Sequence, residues 1–141
     1  MNSTNKLRLI FSYYITPNNE ITYMHRLHMH LLQKYVNVFS IIDIYLCIDD
    51  IHNIDLIEKH KSFIQETLNC EINFFIEQND QYYREGNIYI NYVINKLDEY
   101  AKTDDLIFFA HTKGLTNEKN LNNLENTKQW VSLMYYMNLM K

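Results

Sequence analysis

The chain's most apolar run, Leu106-Ile-Phe-Phe-Ala110, is followed directly by His111-Thr112-Lys113-Gly114. Residues two apart on an extended chain share a face, so His111 and Lys113 would both point at a phosphate or a metal-bridged phosphate. Gly114 permits backbone conformations that other residues avoid. The same tetrapeptide also reads as a solvated turn that ends a strand. Asp49-Asp50 closes another β-branched run, Ile41-Ile-Asp-Ile-Tyr-Leu-Cys-Ile48. Ionised carboxylates there would accept hydrogen bonds from a base or ribose, or hold a hard cation; as turn or helix-capping acids they would be equally ordinary. Arg84-Glu85-Gly86 opens a helical pattern. It offers a planar charged fork, a close-approach glycine and free backbone donors, which suit a diphosphate, although an exposed Arg-Glu pair in a loop needs no ligand.

Other clusters point away from chemistry. His25-x-x-His28-x-His30 invites a metal, but histidines converge on a helix at i and i+4. The spacing places His28 on the apolar stripe and His25 and His30 off it, which argues against zinc. Trp130, Met134, Tyr135 and Met137 read as core packing rather than a cofactor box. Two glycines in the whole chain exclude Walker and dinucleotide fingerprints, and no Ser-His-Asp or Cys-His pattern stands out. Kinases, dehydrogenases and P-loop enzymes are thereby disfavoured.

The elements that would position these residues alternate. Residues 7–15 read as a strand stopped by Thr16-Pro17-Asn18-Asn19. A helix over 20–35 follows, with Ile21, Met24, Leu27, His28, Leu31 and Leu32 on one stripe. Then come a strand over 41–48, a helix over 55–68 (Leu56, Ile57, Phe63, Ile64, Leu68), a strand over 71–76, a helix over 86–100 and a strand over 106–110. Residues 116–126 are polar, rich in asparagine, and read as a loop before a closing helix from about Thr127. Strands alternating with helices of this length need right-handed crossovers, so the expected fold is one α/β domain over 1–141, a doubly wound, mostly parallel sheet covered on both faces. In a sheet ordered 3-2-1-4 the ligand crevice lies between the first and fourth strands, bordered by Tyr13, Tyr14 and His111.

Composition agrees with that class. The 141 residues are 47% apolar and 21% charged, as in a folded globule. A formal charge of −4 argues against a nucleic-acid partner, because binding phosphate backbones takes clustered Lys and Arg. Cys47 and Cys70 form no C-x-x-C pair and are expected to be buried thiols. No apolar stretch approaches the roughly 18 residues of a membrane span, and Met1-Asn-Ser-Thr-Asn5 lacks a signal pattern, so a cytoplasmic protein without a transmembrane segment is expected.

Phe108-Phe-Ala-His-Thr-Lys-Gly114, with Arg84-Glu85-Gly86 before it and Trp130 and Met134-Tyr135-Tyr136 after it, resembles a group of GT-A-fold glycosyltransferases of bacteria and large viruses. The likeness runs over nearly the whole chain, since the first strand, the Ile48-Asp49-Asp50 step and both motifs occur in the same order. It implies a nucleotide-sugar donor, with Asp49 and Asp50 near the nucleoside and the Arg84-Glu85-Gly86 helix start near the diphosphate. Most GT-A enzymes carry an Asp-x-Asp motif for Mn or Mg where this chain has His111-Thr112-Lys113. A lysine there would neutralise the leaving diphosphate directly, so metal dependence stays open. GT-A catalytic domains usually continue further. The resemblance therefore implies either a truncated donor-binding half or an acceptor site completed by a partner subunit, an oligomer or the last helix with Trp130. The implied activity is transfer of a sugar to an unknown hydroxyl acceptor such as a glycan, with no catalytic base assigned. The alternative is a non-catalytic nucleotide- or glycan-binding half-domain completed by a partner. A response-regulator-like domain would use Asp49 and Asp50 as its acidic pocket but leaves His111 without a role.

Overall fold

A computed structural model describes residues 6–16, 20–79, 94, 106–112 and 121–139, the last segment with side chains over 125–136. Four strands and three α-helices are described: β1 (Leu7–Tyr14), α1 (Tyr23–Gln33), β2 (Ile41–Ile48), α2 (Ile54–Leu68), β3 (Asn73–Gln78), β4 (Leu106–His111) and α3 (Leu121–Leu139), with a short 3-10 turn at Val36–Val38. The sheet order is β3-β2-β1-β4, and every pairing is parallel. The protein is thus an α/β domain of Rossmann-like architecture, a parallel sheet flanked by helices. The helix expected over 86–100 lies outside the described residues.

β1 and β2 are central, and their sequences show it: apart from Arg8, Ser12 and Asp43 both are apolar on both faces rather than alternating, as strands covered on both faces require. Leu9, Phe11 and Tyr13 of β1 and Ile42, Ile44 and Leu46 of β2 join Met24, Met29, Leu32, Ile64, Val131 and Tyr135 in one buried cluster, so all three described helices pack on this face. Ile10, Tyr45 and Cys47 form a second buried cluster on the other face. At its amino-terminal edge Arg8 meets Asp43 at 2.9 Å, and Asn73 donates to the same carboxylate at 2.9 Å.

Local signals set the helix ends. Asn53 caps α2 by accepting from the Leu56 amide, and Asn69 closes it in the left-handed region at φ 49°, a conformation asparagine tolerates. α1 begins at Tyr23 rather than 20, and its buried face is Met24, His25, His28, Met29 and Leu32. The stripe is therefore rotated from the expected one: His25 belongs to the core with His28, and of the three clustered histidines His30 alone is exposed. β3 starts two residues late because its register is set by pairing with β2, Asp43 opposite Asn73 through Ile48 opposite Gln78. α3 begins at Leu121, so 121–126 is helical and not loop. Of its expected core cluster Tyr135 is buried, with Val131 beside it, whereas Trp130 is 50% and Met134 42% exposed; the Met137 side chain lies outside the described residues. No helix among the described residues is long and apolar enough to cross a membrane.

Candidate functional site

A parallel sheet brings every strand's carboxyl end to one rim. Here that rim carries Tyr14-Ile15-Thr16 after β1, Asp49-Asp50 after β2, Asn79 after β3 and His111-Thr112 from β4. The chain steps from β1 outward through β2 to β3, whereas β4 lies on the other side of β1. The order reverses between β1 and β4, and this is where open α/β sheets take ligands.

The floor of that switch point is stitched by Thr112. Its amide donates to the Ser12 carbonyl at 3.1 Å, extending the ladder, and its hydroxyl accepts from the Tyr14 amide at 3.0 Å. From the helix side, His25 Nε2 meets the Tyr14 carbonyl at 2.6 Å. Tyr14 is therefore gripped through its amide by β4 and through its carbonyl by α1. Thr112→Val keeps the shape but removes the acceptor from a partly buried amide, which should cost about 1–2 kcal/mol, while Thr112→Ser retains the bond. Denaturation midpoints of the two variants, read with the exchange rate of the Tyr14 amide, test this.

Asp49 and Asp50 are both exposed at the rim and serve the local chain. Asp49 accepts from the Asn79 side chain at 2.9 Å, and the Gln78 amide group donates to the Asp49 carbonyl. Asp50 accepts from the His52 amide at 2.9 Å, an Asx turn leading into the α2 cap. Their turn-forming and ligand-facing readings are thus compatible.

On the other side of the switch point, His111 stands opposite Ser12. With His28 from α1 and Trp130, Met134 and Tyr135 from α3 it lines a largely apolar cleft of ≈ 100 Å³ against β4. The hydroxyl of Tyr135 lies 3.1 Å from His28 Nδ1. Neighbouring strands are about 4.8 Å apart, so the ends of β2 and β4 are separated by about 10 Å across β1, a span an extended nucleotide can bridge.

Tyr13, expected beside the crevice, is instead fully buried. Alternation along β1 turns it under the sheet, where its hydroxyl lies 2.8 Å from His60 Nδ1 and its ring stacks on His25 at 4.6 Å. Burial pushes its phenol far above the ordinary range, opposed by the positive charge of Arg26. Arg84, Glu85, Gly86, Lys113 and Gly114 lie outside the described residues. Of the remaining sequence-expected residues, the structure brings His111 and Trp130 to one cleft, with Asp49 and Asp50 two strands away on the same rim.

Neither cysteine is built as a nucleophile. Both are free, Cys47 buried and Cys70 only partly so. Burial pushes the Cys47 thiol up to about 11, with the Ser12 hydroxyl acting against and Glu77 adding to the rise, so it stays protonated near neutrality. Among the described residues no group of three or more His, Cys, Asp or Glu side chains is arranged to hold a metal ion.

The sequence reading named Thr112 without its task, set His25 off the apolar stripe and left His60 unweighed. Signals for the histidines existed: Thr22-x-x-His25 has the spacing of a capping box, and His60 falls on the buried stripe of α2 between Leu56, Ile57 and Ile64. No protein-family model matches the chain, and the comparison with curated proteins found no match.

Proposed function

We propose that this domain is a glycosyltransferase of GT-A type that holds a nucleotide-diphosphate sugar across the carboxyl rim of β2, β1 and β4. The observation that carries this reading is the reversal of strand order between β1 and β4, with Asp49-Asp50 on one side of it and His111-Thr112 on the other. In it, Asp49 and Asp50 accept hydrogen bonds from the nucleoside, acceptor-only groups suited to ribose hydroxyls or base N–H groups. Arg84, with Glu85 and Gly86 beside it in sequence, together with His111 and Lys113 ahead of Gly114, neutralises the diphosphate. A divalent cation, Mn or Mg, would share that load. Trp130 borders the cleft beside His111 and offers an apolar ring face to the sugar or to a hydroxyl acceptor such as a glycan. An acceptor hydroxyl then attacks the anomeric carbon through its oxygen and gives up its proton to a base or to water, while the carbon–oxygen bond to the diphosphate breaks and the nucleoside diphosphate leaves with the electron pair.

Titration calorimetry with UDP and GDP, with and without Mn, tests this. One of the two should bind, and Lys113→Ala should weaken it at least about tenfold, since a charge-assisted hydrogen bond is worth about 1.5–3 kcal/mol. Absence of binding by both nucleotides, or equal binding by the variant, ends the proposal.

A second reading, a nucleotide- or glycan-binding half-domain completed by a partner, draws support from α3, where Trp130, Leu133, Met134 and Tyr136 are all more than 40% exposed. Release of sugar from donors of the bound base, or its transfer, distinguishes them: sustained turnover by the purified chain eliminates the binding-only reading.

A further inference from the structure

We propose that the cleft between α3 and β4 binds a single aromatic ring carrying a hydroxyl, a phenol, with the ring against Trp130 and Met134 and the hydroxyl on the Tyr135–His28 pair. Such binding needs no nucleotide and stands whether or not the domain transfers sugar. The floor of the cleft is Phe108 and Ala110, the β4 residues that alternate onto the face packed by α1 and α3. Trp130 and Met134, half-exposed, stand at its mouth, while His28, Val131 and Tyr135, all buried, close its inner end.

Size limits the occupant. At ≈ 100 Å³ the space is smaller than the ~150 Å³ apolar cavity that takes benzene and well below the roughly 300 Å³ at which sites for drug-sized ligands begin. One ring fits, with its outer edge left between Trp130 and Met134. The lining selects the kind of ring. Phe108, Trp130 and Tyr135 favour another aromatic ring in offset or edge-on contact, and the thioether of Met134 adds to that preference. No carboxylate, amide or guanidinium side chain is among the described residues of the lining. A sugar ring would therefore bury hydroxyls without partners, and an amine would find no counter-ion.

The polar end of the cleft asks for one hydroxyl. Tyr135 and His28, 5% and 2% exposed, meet through the Tyr135 hydroxyl and His28 Nδ1 at 3.1 Å, and both residues belong to the cleft wall. Burial keeps the Tyr135 phenol protonated well above neutrality, so it presents a hydroxyl, which both donates and accepts. The bond to His28 uses one of these capacities. If Tyr135 donates to Nδ1, its oxygen still accepts; if Nδ1 donates to Tyr135, its own hydrogen still needs an acceptor. A ligand hydroxyl answers either arrangement, whereas a carbonyl or an amine answers one. With the hydroxyl inward, the para position of the ring points out past Trp130.

The chain has one tryptophan, so its indole N–H signal in an NMR titration of the full-length protein reports this site. Phenol should shift that signal saturably and bind at least about fivefold tighter than toluene, which has the same shape but no hydroxyl, as one neutral hydrogen bond allows. Cyclohexanol should also bind more weakly than phenol, and methyl glucoside at the same concentrations should leave the signal in place. In Tyr135→Phe the preference for phenol over toluene should vanish while toluene binds as before, which shows the cleft still formed. N-acetyltyrosinamide, whose chain is para to its hydroxyl, separates two sources of the ring: binding tighter than phenol assigns it to a peptide tyrosine, weaker binding to a free small molecule, and either supports the site. No saturable shift with phenol, binding of toluene, cyclohexanol or methyl glucoside as tight as that of phenol, or an unchanged phenol preference in Tyr135→Phe overturns the proposal. The wild-type comparisons decide even if the variant does not fold.

Discussion

Asp43→Ala should cost the fold about 3 kcal/mol, the lower end of the range for breaking a buried ion pair by removing one partner. Asp43 is 4% exposed, and its two oxygens are divided between Arg8 and Asn73, each at 2.9 Å. One side chain thus ties β1, β2 and β3 together. Removing it leaves the Arg8 guanidinium in a partly buried position with its carboxylate gone. The estimate stays at the lower end because the Arg8 side chain is 22% exposed, and water can replace part of what is lost. The same reasoning gives a recovery: Arg8→Met combined with Asp43→Leu removes both charges, fills the space with apolar atoms, and should regain most of the loss. Asn73 is exposed and can turn to solvent. Urea midpoints for the single and double variants measure both numbers, and a double variant no better than Asp43→Ala would contradict the account. The triad sits at the amino-terminal end of the sheet, away from the carboxyl rim. The variants therefore test the scaffold without touching the residues proposed to bind the donor.

What could be read from the sequence divides along physical lines. β1 and β2 were legible because a central strand covered on both faces is mostly apolar, and the parallel sheet because strands alternating with helices need crossovers; neither depends on side-chain detail. The two-residue shift of β3 was not legible, since Asn73 earns its place through Asp43 across the ladder and nothing in the segment 71–78 alone announces that partner. The start of α3 was hidden because asparagine favours turns only weakly, and a helix docked through Val131 and Tyr135 can extend into a polar segment. His25 was placed off the apolar stripe because that stripe was drawn from Ile21 through Leu27, whereas the helix begins at Tyr23 and turns His25 and Met29 inward. In the core its two nitrogens are both satisfied, which is the condition under which a polar ring can be buried. At the candidate site, His111 and Thr112 were visible at the end of an apolar strand, but the task of Thr112 depends on a backbone amide 98 positions earlier in the chain. Trp130 belongs beside His111 only because α3 folds back over β4, a tertiary fact with no local signature.

Above pH 10 the protein should lose stability steeply, and two tyrosines are central to it. Burial holds the phenols of both Tyr13 and Tyr135 well above the usual tyrosine value of 10. The sign follows from which state keeps the proton. Below pH 10 both states are protonated and the full contribution is present. Above it the unfolded chain ionises while the folded one does not, so folding is opposed by about 1.4 kcal/mol per pH unit for each phenol, or roughly 3 kcal/mol for the pair at about pH 11. Cys47, pushed up to about 11, adds in the same direction as its thiol ionises in the unfolded chain first. Phenolate absorbance and helical circular dichroism should therefore rise and fall together in the last phase of an alkaline titration. Tyr13→Phe with Tyr135→Phe should flatten the stability profile above pH 10, at the cost of the hydrogen bonds to His60 and His28. Phenolate formation that finishes while the helical signal is intact would show that these side chains reach solvent in the folded state. Tyr135 matters most for the site, since with Val131 it is what buries α3 in the core. Charging it would free the helix that carries Trp130, and the cleft beside His111 would lose its outer wall.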